Sequence, residues 1–457
     1  MLKQKILLAF AAAFLSNFAL AQKDAKFTEE LKQEMCEKVK LAAAHAWQGY
    51  KDFAWGADDL KPLSRQPKIW YKTSMLMTPV DAFDTFTLLG LTDEAASAKE
   101  LILTKLDFNI DNEVQVFEIT IRLLAGLITA YEIDGDKKFL TLARDLGNRL
   151  MPAFNTPTGI PYRYVHLQTG KTRDGINNPA EVGTLMMEFG KLSKLTNDNK
   201  YYNAAKKGMM EVYKRRSKID LVGEQIDVNS GKWVNYKSHI GGYIDSYYEY
   251  LYKSWLLFGD ADFKTAFDTH NAAIKKNLIH KTNHGWFMRQ VDMNTGTLIG
   301  TRYGALEAFY AGLCAFSGDL ETGKQIQEAN FYMWTQFNME PEEFDFVTDS
   351  ITSPYYILRP ENLESCFYLY RLTGQAKYLW QGKVMVDDII NHCRNDVGFA
   401  SLKNVKTFEK TNSMESFFFG ETLKYAYLIF APESKLDLKK VVLTTEAHPF
   451  KIEKKKN

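Results

Sequence analysis

The chain is punctuated at regular intervals. Helix-stopping positions recur at Gly90, Gly135, Asn197, Gly259, Gly318 and Gly374. After the first, the interval is roughly 60 residues, a length that suits tandem helical units. Gly and Asn take the left-handed backbone of a helix C′ position at low cost. An apolar segment precedes each stop, and a polar, Lys-rich amphipathic one comes after it, as in Lys200–Arg216 and Phe263–Leu278. A helix apolar all round must be covered on every side, whereas an amphipathic one needs cover on one face only. The alternation therefore predicts an inner and an outer layer of helices. Length alone would suggest two or three domains. No Pro/Gly/Ser-rich linker divides the chain, however, so the period argues for one large domain over residues 22–457.

The inner segment Val116 to Tyr131, VFEITIRLLAGLITAY, carries Glu118 and Arg122 one turn apart on one face. Such charges in an apolar helix cost free energy unless they are paired or used. Glu181, Asp245 and Glu361 also stand near the starts of inner segments. One acid at a helix N-terminus answers to the helix dipole. The whole set, in apolar surroundings, predicts an acidic cluster at one mouth of the assembly. Asp245 and Glu249 are spaced i, i+4 in IDSYYEYLYKSWLL, and Glu361 and Glu364 i, i+3 in YILRPENLESCFYLYR. Arg359 lies just before the latter pair, with Pro360 suited to the first helical position. Asp81 and Asp84 share a face of MLMTPVDAFDTFTLLGL, and Glu415 and Glu421 flank Phe417–Phe419. Two carboxylates in different environments can act as acid and base on opposite sides of one bond. Aromatic rings beside them suit a sugar, which has apolar faces and hydroxyl edges.

Other signals narrow the field. Thr28 is the expected cap of a first helix running to Trp55, with Glu29 and Glu30 in its first turn. HLQTGKTR, IDVNSGKWV and VDMNTGTLI read as small hairpins around Gly turns. The Asp227 and Asp292 segments start like EF-hand loops but lack the Gly at position six and the closing Glu, so they are expected to be plain turns. The histidines give no HExxH, and no nucleophile elbow, phosphate loop or dinucleotide fingerprint is present. Net charge is +1 with mixed signs, which excludes a nucleic-acid partner or an acidic-lipid surface as the organising interaction. MLKQK, ILLAFAAAFL and Ala19-Leu20-Ala21 form the basic, apolar and cleavage regions of a signal peptide over residues 1–21. Export to the periplasm or medium is expected, without stable membrane insertion. Cys36, Cys314, Cys366 and Cys393 are sparse and lack metal-type spacing.

The blocks DAFDTFTLLGLTDE, VFEITIRLLAGLITAY, MPAFNTPTGIPY, AEVGTLMMEF, DSYYEYLYK, LRPENLES, MESFFFGETLKYAYLIF and TTEAHP, in this order, resemble glycoside hydrolase family 47, the class I α-1,2-mannosidases. The resemblance runs from about Ala46 to Pro449, and AFYAGLCAFSGD and YLYRLTGQAKYL look closer to the ER-degradation-enhancing mannosidase-like branch. It implies an all-α fold, an (α/α)7 barrel plugged by a C-terminal β-hairpin. It implies Glu118 as general acid acting through a water, Glu361 as base and Asp245 as third catalytic carboxylate. Arg122, Glu181, Glu249, Arg359, Glu364, Phe417, Glu421 and Glu446 match positions lining the sugar pocket or surrounding the metal. Thr445 matches the residue that gives backbone and hydroxyl oxygens to Ca²⁺. Two positions depart from the pattern. Ala308 stands where eukaryotic members have a disulfide Cys, so no obligatory disulfide is expected. Tyr243 stands where ER-type enzymes have Arg, which puts their isomer selectivity in question.

The expected activity is thus Ca²⁺-dependent, inverting release of terminal α-1,2-linked mannose from oligosaccharides by a monomer. Two rivals are a glycan-binding quality-control factor with a vestigial site, and a helical scaffold without chemistry. The catalytic carboxylates count against the first, and the inward acids against the second.

Overall fold

Thr28 caps the first helix, Glu29–Phe53, accepting a hydrogen bond from the Leu31 amide. The computed structural model describes residues 27–452. The expected leader, residues 1–21, and most of the basic tail lie outside them. Among the described residues the inner layer runs Met77–Leu89; Val116–Ile119 continuing through Thr120–Leu124 and Ala125–Asp134; Pro179–Gly183 with Met186–Thr196; Asp245–Phe258; Phe309–Phe316; Glu361–Thr373; and Phe418–Thr422 with Leu423–Phe430. The outer layer is Thr92–Lys105, Lys137–Leu150, Lys200–Lys214, Ala261–Asn277, Leu320–Phe337 and Ala376–Cys393, completed by Glu29–Phe53. That first helix packs on Leu423–Phe430, and Met77–Leu89 packs on both the second and the last inner helices. The ring closes in this way, giving the (α/α)7 barrel.

Each predicted stop lies at one end of the barrel. Gly90, Gly135, Asn197, Gly259 and Gly374 are left-handed caps, with φ of 76°, 83°, 53°, 71° and 66°. Gly318 (φ 96°) stands one residue beyond the cap of its helix, because Ser317 takes that position. Asp136, Asp260 and Asp319 then cap the next outer helices through their carboxylates. These turns are short because each joins antiparallel neighbours.

The long connections gather at the opposite end and carry small antiparallel sheets. The three predicted hairpins form: Tyr164–His166 with Thr172–Arg173, Gln225–Asp227 with Trp233–Asn235, and Gln290–Asp292 with Leu298–Gly300. Asp227 accepts from the Asn229 and Ser230 amides, and Asp292 from those of Asn294 and Thr295, so both segments are ordinary carboxylate-capped turns. Further pairings, such as Ile279–Thr282 with Gly285–Met288, were not anticipated, since strands this short carry too little alternation to read.

Two local departures bear on the site. The Val116 and Phe418 helices both contain a π-turn, at Thr120–Leu124 and Phe418–Thr422. A π-turn rotates the next helical turns relative to a regular helix and is frequent at functional sites. Pro360 takes the cap position rather than the first helical one, which leaves Glu361 first. After the last inner helix, Val441–Leu443 and Pro449–Lys451 pair with Val442 opposite Phe450. This hairpin enters between inner helices from the short-turn end: Lys451 bonds Glu132, and the Lys191 ammonium bonds the Lys451 carbonyl. Its tip, residues 444–448, becomes the floor of the barrel interior.

Candidate active site

The hairpin tip and the N-terminal ends of the inner helices enclose a cavity of about 350 Å³. Every site residue nominated from sequence lines it: Glu118, Arg122, Glu181, Asp245, Glu249, Arg359, Glu361, Glu364, Phe417, Glu421, Thr445 and Glu446. Asp245 and Glu361 each open an inner helix, and Glu181 sits in the first turn of another, its amide bonded to the Asn178 cap. Glu415 does not join them; it pairs with Lys68 at 2.9 Å.

The guanidinium of Arg122 organises one wall. Its Nε and Nη2 donate to Glu118 at 3.0 and 2.9 Å, and its Nη1 donates to Glu446 at 2.9 Å. The rings of Trp70 and Phe417 flank it at 5.4 and 5.5 Å. The expected intrahelical pair is therefore real, and it is tied to the floor as well. On the far wall, Arg359 donates through Nε to Glu342 at 3.1 Å and lies 3.7 Å from Glu361. Glu181 is held by Arg163 and Gln115. Lys253 donates to Glu249 and lies 3.7 Å from Glu364, which also accepts from the Tyr425 hydroxyl.

Burial dominates the ionisation of this wall. It pushes Glu361 up to about 8, although Arg359 opposes the shift. Asp245 rises to about 6 by burial, against the hydrogen bonds from Ser246. Burial likewise lifts Glu364 to about 8 against Lys253, and Glu446 to about 7 against Arg122. Glu421 rises well above the carboxylate range, by burial and then by Glu446 beside it. So many carboxylates in a low-dielectric space stay charged only if cations balance them. Glu361 also keeps one buried oxygen, Oε2, with no hydrogen-bond partner among the described residues. A water or a sugar hydroxyl would satisfy it.

The Thr445 amide donates to the Tyr250 hydroxyl at 3.1 Å. Among the described residues, no donor reaches its hydroxyl or carbonyl oxygen, and the residue faces the cavity. No group of three or more His, Cys, Asp or Glu forms a metal cage among them either.

Several participants escaped the sequence reading: Trp70, Arg163, Lys253, Glu342, and a charged layer under the floor. In that layer Lys424 donates to Asp84 and to the Ala447 carbonyl, both at 2.9 Å. His448 lies 3.2 Å from Asp84 and 3.5 Å from Asp81, and Asp81 lies 3.8 Å from Arg122. The shared face of Asp81 and Asp84 was legible, but their partners Lys424 and His448, more than 300 residues away, were not. Tyr243 lines the mouth with a left-handed backbone (φ 75°). Cys36, Cys314, Cys366 and Cys393 are all free thiols, the last three buried.

A cavity closed at its floor in an (α/α)7 barrel, lined by Glu118, Asp245 and Glu361 from separate helices with the Phe417 ring beside them, is suited to the end of a sugar chain. The chain belongs to glycosyl hydrolase family 47, whose sequence profile matches residues 42–452. It is 36% identical over 455 residues to the human mannosyl-oligosaccharide 1,2-alpha-mannosidase IB, covering 92% of this chain and 70% of the relative. It is 34% identical to the ER degradation-enhancing alpha-mannosidase-like protein 1 of Schizosaccharomyces pombe, over 92% of this chain and 56% of that one. Among solved structures, an alpha-1,2-mannosidase from Trichoderma reesei superposes with a TM-score of 0.86 at 29% identity, over 92% of this chain and 99% of that chain.

Proposed function

We propose that the chain is an exported, inverting exo-α-1,2-mannosidase that removes terminal mannose from high-mannose or mannan-type oligosaccharides with Ca²⁺ at Thr445. The observation that carries this reading is the cavity itself: Glu118, Asp245 and Glu361 line it from separate helices above a floor closed by the hairpin tip. A closed floor admits only the end of a glycan, which makes the action exo. Carboxylates on separate helices can stand the roughly 6.5–9.5 Å apart that an attacking water needs for inversion. Glu361, with its free Oε2, takes the proton of that water. Glu118, held by Arg122, relays a proton to the leaving oxygen through a second water. Asp245 balances the positive charge of the oxocarbenium-like transition state.

The residues present fit Ca²⁺. Thr445 offers two unengaged hard oxygens among surplus carboxylate charge, and Ca²⁺ accepts water or sugar hydroxyls for the rest of its shell. When bound, the ion would hold two sugar hydroxyls and offset the acidic wall. Export rests on the leader sequence, and cleavage is expected after Ala21.

The relatives named for 1,2-alpha-mannosidase activity support the linkage; the rival is a glycan-binding factor without turnover. Incubation with α-1,2-mannobiose separates the two: release of mannose that stops with chelator and returns with Ca²⁺ supports the enzyme, whereas binding without turnover refutes it. α-Mannosyl fluoride tests the roles, because its leaving group needs no proton. Glu118→Gln should keep much of its fluoride hydrolysis, and Glu361→Gln should lose it.

A further inference from the structure

The proposed Ca²⁺ ligand stands on a single turn, and the structure shows what aims it. Residues 444–448 close on themselves: the Thr444 amide bonds the His448 carbonyl, and the Ala447 amide bonds the Thr444 carbonyl. Lys424 holds the Ala447 carbonyl from one side. On the other side, the Thr445 amide is tied to the inner helix Asp245–Phe258 through the Tyr250 hydroxyl. That hydroxyl is 2.6 Å from Oε1 of Glu188, on the neighbouring helix Met186–Thr196. Tyr250 and Glu188 are both fully buried, and neither lines the cavity.

Donor counting sets the direction of this relay. A backbone amide can only donate, so Tyr250 accepts from Thr445. Its own proton is donated to Glu188 Oε1, 2.6 Å away. The relay runs from Thr445 N–H to Tyr250 O–H to Glu188 Oε1. The Thr445 carbonyl and hydroxyl oxygens accept no hydrogen bond among the described residues, and the residue lines the cavity.

We propose that Tyr250 and Glu188 are positioning residues for the cation: a buried relay that fixes the Thr445 turn so that its two oxygens point at one site. This rests on the reading of Thr445 as the Ca²⁺ ligand. The helix that supplies Tyr250 also begins with Asp245, so the relay sets the metal ligand in register with a catalytic carboxylate. Groups behind a metal's direct ligands typically govern affinity by about 10- to 100-fold.

The test is calorimetric titration of Ca²⁺ into the full mature chain, together with the rise in Tm that Ca²⁺ produces. Tyr250→Phe removes only the hydroxyl, and should weaken Ca²⁺ binding about 10- to 100-fold and shrink the Tm increment. Glu188→Leu removes the acceptor and should do the same. Glu188→Gln keeps an acceptor oxygen and should bind within about 2-fold of the parent chain, a rescue that a merely structural role would not give. If the parent chain binds Ca²⁺ and Tyr250→Phe binds it equally well, the relay is refuted while the cation reading stands. If the parent chain and Thr445→Val bind alike or not at all, the cation reading fails and the relay with it. Should Tyr250→Phe not fold, the contrast between Glu188→Gln and Glu188→Leu decides: equal affinities overturn the proposal.

Discussion

The two ends of this barrel are built from the same helices and behave as opposites. At one end, turns of a few residues join inner to outer helices, glycines supply left-handed caps, and Asp136, Asp260 and Asp319 begin the next helices. At the other, long connections fold into small sheets and the inner helices begin with acids facing a cavity. Local rules are satisfied at the first end and strained at the second, where buried carboxylates lie well above their ordinary range. Strain of this kind marks the place where function, rather than stability, chose the residues. The C-terminal hairpin joins the two: its strands seal the quiet end, and its tip equips the active one.

The comparison can be broken most forcefully at the acidic end. Glu361→Gln keeps the shape and removes the proposed base. It should lower kcat by about 10²–10⁴-fold while leaving thermal stability near that of the parent chain. Steady-state kinetics on α-1,2-mannobiose, with a melting curve alongside, reads both.

The next largest effect lies under the floor. Lys424 is fully buried between Asp84 and the Ala447 carbonyl. Lys424→Met would leave His448 as the nearest cation to both Asp81 and Asp84, one positive charge short, and should cost about 3–5 kcal/mol of stability. Denaturant unfolding measures this directly, and a loss below about 1 kcal/mol would show that the layer does not lock the plug.

The pH profile sharpens the contrast. Burial raises the Glu361 pKa to about 8, and Arg359 opposes that rise. A base works only when deprotonated, so activity should fall as pH drops through its pKa. A bound cation lowers that pKa further, which places the acidic limb of kcat/KM below about 8 in the Ca²⁺-loaded protein. Arg359→Gln removes the opposing charge and should move the limb to higher pH by about one unit or more. An unmoved limb would remove Glu361 from the role of base.

The smallest effect belongs to the quiet end. Gly135 has φ 83°, and an added Cβ there would meet nothing within 4 Å. Gly135→Ala therefore carries only the backbone cost of the left-handed region, about 1–2 kcal/mol, with kcat unchanged.

Legibility from sequence divides along the same line. The quiet end was legible because its rules are local: Gly135 stops a helix and Asp136 starts another whatever the rest of the chain does. The acids at the helix starts were legible as residues that an apolar helix should not contain. Their assignment to roles came from the resemblance, since spacing alone cannot say which carboxylate takes the proton. What stayed hidden was pairing across the chain. Lys253 is one helical turn from Glu249, but nothing in its own segment points to Glu364, and nothing around His448 points to Asp81 and Asp84; only the fold brings these groups together. The π-turns were hidden for another reason: a single extra residue in a helical turn leaves no mark on an apolar run.

The central claim is that Glu361 directs a water onto the face of the sugar opposite the departing oxygen. Proton NMR of a fresh digest of methyl α-1,2-mannobioside, whose departing half leaves as methyl mannoside so that the only free mannose is the one newly cleaved, tests it when recorded before mutarotation. The newly released reducing end should appear first as β-mannose; α-mannose appearing first would contradict this role of Glu361.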